Sequence, residues 1–236
     1  MSSSRSASRP AGRLPGVDPA RERPPGREER RALARLAAAV AARDDRAVER
    51  EAARLSGRLA RRCAEETVLQ TYLFAGFPAA INGFAALERA WPPERADAPA
   101  RDGREPGPDP AGWKARGERL CARVYGPRYR RLRARMRALS PALDDWMVVE
   151  GYGKTLSRPG LDEATREICA VAALAALGAT RQLEAHLEGA RRLGADPVLI
   201  DEAARDAVRR HVPRARRAEL ESLLAPPRRP SRGARP

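Results

Sequence analysis

The stretch REICAVAALAALGATRQLEAHLEGARRLG, residues 166–194, decides the fold of this chain. Its first half holds an unbroken apolar run, Ile168 to Leu177, with no two-residue alternation, and Asp162 upstream stands where a helix N-cap is wanted. Gly178 is a stop signal, and Thr180 is expected to cap a second helix. On that second helix Leu183, His186, Leu187, Ala190 and Leu193 fall on one face at helical spacing. Two consecutive helices therefore pack against each other. The first opens on a carboxylate, Glu167, and the second carries one of the two histidines of the chain, His186, on its apolar side.

Working outward, the other segments repeat the helical period. Leu33, Leu36 and Val40, then Val48, Leu55 and Leu59, mark two helices, with Asp44 and Asp45 as punctuation between them. EETVLQTYLFAGFPAAINGFAALERAW, residues 65–91, is apolar and broken by Gly76-Phe77-Pro78, which predicts two buried helices with a bend. Residues 92–112 are too rich in Pro, Gly and charge to pack and are expected to form a loop, either a mobile insertion or a linker. Beyond it, WKARGERLCARVYG and PRYRRLRARMRAL predict helices with solvated arginine faces. Ser140-Pro141 opens a further helix that Gly151 and Gly153 are expected to end, and Asp196-Pro197 opens PVLIDEAARDAVRRH. No segment has a strand pattern, so the fold class is all-α. The expected organisation is a tail over 1–27, helices over 28–91, the 92–112 loop, a helical region over 113–224 and a second tail over 225–236. Both tails read as disordered by composition.

The 236 residues are long enough to bury a core without cross-links. Cys63, Cys121 and Cys169 are odd in number and widely spaced, which suggests neither a disulfide framework nor a zinc site, and a reducing, cytoplasmic setting is expected. The N-terminus has no apolar core of a signal peptide, and no apolar run is long enough to span a bilayer, so no membrane partner is expected. The net charge of +15 is concentrated at the ends: eight arginines against four acids in residues 1–31, and nine against two in 209–236. A nucleic-acid partner is thereby left open to the tails but not favoured for the nearly balanced middle of the chain.

The segment from Trp146 through EGYGKTLSRPGLDEATREICAVAALAALGATRQLEAHLEGARRLGADP resembles the carboxymuconolactone decarboxylase family, whose fold is the AhpD-like helical bundle. The resemblance rests on Trp146, the run Arg158 to Asp162, Arg166, Ala176 to Gly178, His186, and Gly189-Ala190 followed by Gly194. Residues 65–84, EETVLQTYLFAGFPAAINGF, are similar to a segment that comes later in usual members, so the chain reads as permuted or as a remnant of two fused copies. The peroxidase branch of the fold couples a Glu and a His to a Cys-x-x-Cys. Those thiol positions are Ala179 and Gln182 here, and thiol peroxidase activity is not expected.

Helical rise places Glu167 and His186 about 7 Å apart in height on an antiparallel pair, a gap that the two side chains and a water can close. A buried carboxylate beside an imidazole suits holding and passing a proton near neutral pH. The same pattern is met by a histidine satisfied in the core by Glu167 and a backbone carbonyl, with no chemistry. As the resemblance implies, the decarboxylase branch removes carbon dioxide from a small carboxylated γ-lactone without cofactor or metal. His186 is then the acid, Glu167 its orienter, and Arg158 or Arg166 the anion anchor. Tyr72, Tyr152 and Trp146 are candidates to wall the pocket. Capping or ion pairing is the plainer role for the arginines, and core packing for the aromatics. The resemblance also implies a homo-oligomer, trimer or hexamer. The competing expectation is a non-catalytic oligomeric member that binds an anionic partner through its tails.

Overall fold

The computed structural model describes residues 23–93 and 109–225. The tails expected over 1–27 and 225–236, and the loop expected over 92–112, fall mostly outside the described residues. The described residues form helices joined by short turns, with no strand among them. They are α1 (Arg27–Ala41), α2 (Asp45–Leu55), α3 (Arg61–Gln70), α4 (Tyr72–Ala75), α5 (Phe77–Ala90), α6 (Pro110–Tyr125), α7 (Tyr129–Leu139), α8 (Pro141–Trp146), α9 (Glu163–Leu177), α10 (Thr180–Arg192), α11 (Pro197–His211) and α12 (Arg214–Leu223). A π-helix, Met147–Leu156, follows α8 directly.

Two alanine-rich helices, α1 and α9, lie against each other at the centre. Alanine lets helix axes approach closely, and the larger side chains between them, Leu33, Leu36, Ile168 and Val171, are fully enclosed. Around α1 one apolar cluster gathers α2, α3 and α5, with Cys169 and Ala173 of α9. A second cluster gathers α9, α10, α11 and α12, with Ala34 and Ala38 of α1. Because α1 and α9 serve both clusters, the halves of the chain share one interior. α1 is thus a central helix alongside α9, although fewer of its residues are buried.

Several expected boundaries hold and three move. Asp162 caps α9 by accepting from Thr165 N, Asp44 caps α2 through Ala47 N, and Asp196 opens α11 through Val198 N. Gly178 ends α9 in the left-handed region, φ 67°, which a side chain would oppose. Thr180, expected as a cap, is instead the first residue of α10; Ala179 precedes it, and the Thr180 hydroxyl meets Glu219 Oε1 at 3.0 Å. The loop expected to last to residue 112 gives way at Pro110, because Asp109 caps α6 through Gly112 N.

The third change concerns Gly151 and Gly153, which do not end a helix. The chain continues through both as a π-helix to Leu156. A Cβ at Gly153 would be driven into the carbonyl oxygen of Trp113, and one at Gly117 of α6 into that of Val148. The two glycines allow backbone-to-backbone contact between α6 and the π-helix, so their role is close approach rather than termination. This pair carries a third apolar cluster of Leu120, Cys121, Val124, Tyr152 and Leu156.

Candidate acid–base site

Glu167 lies in the first turns of α9 and His186 midway along α10, and both side chains are almost wholly buried. No water is needed between them: His186 Nδ1 donates to Glu167 Oε2 at 2.9 Å. With Glu167 as the acceptor, Nδ1 carries the shared proton and Nε2 is the ring nitrogen left for another group. Phe74 of α4 stands edge-on to the imidazole, with ring centroids 5.6 Å apart at 88°. Room for the carboxylate comes from Gly189, one turn after His186, where a Cβ would lie 2.9 Å from Glu167 Oε2 and 2.6 Å from Val124 Cγ1.

Tyr152, on the π-helix, is buried, and its ring meets that of Tyr125 edge-on at 6.1 Å. Burial pushes the Tyr125 phenol up to about 12, offset in part by its contact with Tyr152 and raised further by its neighbours Cys121 and Glu167. Burial also holds Tyr152 well above the usual phenol value, with Tyr125 and Glu167 adding to it. Both phenols are therefore O–H donors at neutral pH. Tyr125 was not singled out from sequence, since a lone tyrosine before Gly126-Pro127 carries no pattern of its own.

The remaining candidates lie elsewhere. Arg166 is sealed in the core: Nη2 donates to Glu66 Oε2 (2.8 Å) and to the Arg158 and Pro159 carbonyls, and Nη1 donates to Gln70 Oε1 (3.1 Å). Gln70 Nε2 returns a bond to the Arg166 carbonyl at 3.1 Å. Arg158 Nε donates to both oxygens of the same Glu66, each at 3.1 Å, and its side chain keeps 20 % exposure. Neither arginine thus hydrogen-bonds to the Glu–His pair; α3 holds both. The Tyr72 hydroxyl donates to Glu150 Oε1 (2.9 Å) and meets Thr155 Oγ1 (2.8 Å), and its ring stacks on Phe77. Trp146, expected to wall a pocket, is 66 % exposed instead, because the inward places of the following π-helix go to Val148 and Tyr152.

The three cysteines are buried. Burial pushes the Cys121 and Cys169 thiols up to about 12 and raises Cys63 as well. Among the described residues no group of three or more His, Cys, Asp or Glu side chains is placed to hold a metal ion, and no helix is long and apolar enough to cross a membrane. Two clefts among the described residues, about 260 and 180 Å³, are lined by α1, α2 and the turns that follow or precede α2, with, in the smaller, the end of α11. Neither contains Glu167 or His186.

These observations define a class, an all-helical bundle with a buried carboxylate–imidazole pair on consecutive helices. Within it, residues 145–220, about a third of the chain, match the sequence model of the Carboxymuconolactone decarboxylase family. The match spans the π-helix, α9, α10, α11 and most of α12. It thus contains Glu167, His186, Gly189 and Tyr152, whereas Glu66, Gln70, Phe74 and Tyr125 come from outside it. No curated protein matches the chain.

Proposed function

We propose that this protein is a cofactor-independent acid–base enzyme of the lyase type, acting on a small carboxylated lactone or related ring compound. The observation that carries this reading is the buried 2.9 Å contact between Glu167 and His186 inside the matched segment. In the proposed reaction the bond between the ring carbon and the substrate carboxylate breaks and carbon dioxide leaves. The electron pair passes into the conjugated lactone, and His186, which first takes a proton from solvent on Nε2, delivers that proton to the ring carbon to give the enol-lactone. Glu167 orients the imidazole through Nδ1 and stabilises its charged form, so that Nε2 exchanges the proton with substrate.

Of the two arginines considered as anion anchors, Arg166 is sealed in the core by Glu66 and Gln70, whereas Arg158, bonded to the same Glu66, keeps 20 % of its side chain exposed. Tyr125 and Tyr152, both within electrostatic reach of Glu167, supply O–H donors. The position of Phe74 against His186 supports the reading that the N-terminal segment, displaced in the chain relative to usual members, contributes to the same site. The raised pKa values of all three thiols argue against thiol peroxidase chemistry, which needs an accessible thiolate.

The test is decarboxylation of 4-carboxymuconolactone, followed by ultraviolet absorbance, in wild type, Glu167→Gln and His186→Ala. Turnover by wild type that falls at least a hundred-fold, roughly, in His186→Ala supports the reading. A folded wild type without turnover rejects this substrate, and full activity in His186→Ala rejects the mechanism.

A further inference from the structure

The corner between α7 and α8 is built with care yet turned outward. Residues 126–143, GPRYRRLRARMRALSPAL, contain six arginines and no acid. Two of the six, Arg133 and Arg137, converge on Asp144, whose side chain is only 2 % exposed; Arg137 Nη2 donates to Oδ2 at 2.9 Å, and Arg133 grips the same carboxylate with two nitrogens. This buried ion cluster pins α8 against α7 and sets the corner rigidly. What it presents is apolar: Leu139 is 55 % exposed, Leu143 46 % and Trp146 66 %.

The other arginines border that tip. Arg130, Arg131 and Arg135 are exposed and have no acidic partner among the described residues, while Arg128 pairs with Glu188. Arg131, Arg135 and Leu139 follow at four-residue intervals, so two guanidinium groups run along the stripe of α7 that ends in Leu139. Leu143 and Trp146, three apart, share a face of α8.

We propose that this corner docks on the surface of an anionic phospholipid membrane, with Leu139, Leu143 and Trp146 entering the interface and Arg130, Arg131 and Arg135 meeting lipid phosphates. The chemistry fits that occupant. Aliphatic side chains gain from the acyl boundary but have nothing to stack on in a nucleic acid, an indole settles at headgroup depth, and unpaired arginines are attracted to an anionic leaflet. A second copy of the chain is a poorer fit, because a two-fold contact at this corner sets the three arginines that have no acidic partner among the described residues against three like them, and each chain carries a net charge of +15. Docking of this kind needs no spanning helix.

The experiment is flotation of the purified full-length protein with vesicles of phosphatidylcholine alone and of an equimolar phosphatidylcholine–phosphatidylglycerol mixture. The protein is expected to float with the anionic vesicles only. The double variant Arg131→Gln/Arg135→Gln should bind them about 20-fold more weakly, and less still as salt rises. Trp146→Ser should weaken binding and abolish the blue shift of tryptophan emission that vesicles cause. All three side chains are exposed, so circular dichroism should be unchanged. Absence of flotation overturns the proposal, and so does binding that both variants leave intact, which assigns it to arginines elsewhere in the chain. Variants that lower the solution mass while leaving vesicle binding unchanged assign the corner to a second copy.

Discussion

Glu167 Oε2 and the Cα of Gly189 face each other so closely that a single methyl group on Gly189 would stand 2.9 Å from the carboxylate oxygen. The same oxygen accepts from His186 one turn earlier on α10. Gly189→Ala is therefore expected to displace the carboxylate from the imidazole, and its Cβ also meets Val124 Cγ1 at 2.6 Å. Thermal denaturation should register a loss of about 1–3 kcal/mol. The nuclear magnetic resonance signals of the His186 ring should move, and unchanged ring signals in a folded Gly189→Ala protein would show that the pair does not depend on this space.

The contact between α6 and the π-helix makes a paired prediction. Gly153→Ala puts a methyl group into a backbone carbonyl of α6, where no rotamer change relieves it, and should destabilise the protein by about 1–3 kcal/mol or more. Gly151→Ala, two residues away, meets nothing closer than the Trp146 carbonyl at 4.0 Å and should be neutral or slightly stabilising, by up to about 1 kcal/mol. Urea midpoints of the two variants measure the difference, and equal midpoints would remove the close-approach role of Gly153.

Glu66 carries two guanidinium groups, one of them sealed from solvent. Glu66→Ala leaves Arg166 without its carboxylate in the core, and a loss of about 3–5 kcal/mol is expected in urea denaturation. Replacing Glu66 and Arg166 together by methionine should cost less than Glu66→Ala, since the uncompensated buried charge goes with the arginine. A double variant as unstable as the single one would mean that packing, not charge, dominates at this junction.

The cysteines give a kinetic prediction. With thiols pushed up to about 12, Cys121 and Cys169 hold thiolate on the order of 10⁻⁴ at pH 8, and burial denies reagent access as well. Ellman's reagent should react with none of the three thiols of the native protein within minutes, and with all three in guanidinium. Rapid reaction of one native thiol would identify an accessible cysteine and reopen thiol chemistry.

Stability should fall on acidification in two stages. Burial holds His211 below its ordinary value, with Arg210 and Arg50 lowering it further and Asp44 and Asp206 opposing them. The unfolded chain then binds a proton near pH 6.5 that the folded chain takes up only at lower pH, so stability declines as pH drops below about 6.5 and levels off once the folded histidine is protonated. His211→Gln should flatten the urea midpoint across that window. At lower pH Asp144, held below the ordinary carboxylate value chiefly by its hydrogen bond to Arg133, contributes stability that is complete above the unfolded carboxyl value and lost as pH falls through the folded one. Asp144→Asn should remove that second decline.

Much of this protein follows from local pattern. The all-helical class, the capping of α2, α9 and α11 by Asp44, Asp162 and Asp196, and the stop at Gly178 depend on interactions within a few residues, which a sequence displays directly. The placement of Glu167 and His186 on facing sides of consecutive helices was legible for the same reason, since helical period and a short turn constrain it. Other features arise between segments far apart in the chain. Gly151 and Gly153 look like helix breakers until α6 is laid against them. Arg166 looks like a surface cation at a helix start until Glu66, 100 positions upstream, and Gln70, 96 positions upstream, close over it. Trp146 looks like core until the π-helix gives the interior to Tyr152. Local periodicity determines which residues can share a face; only tertiary packing decides which faces meet, because burial and charge pairing are properties of two surfaces and not of one.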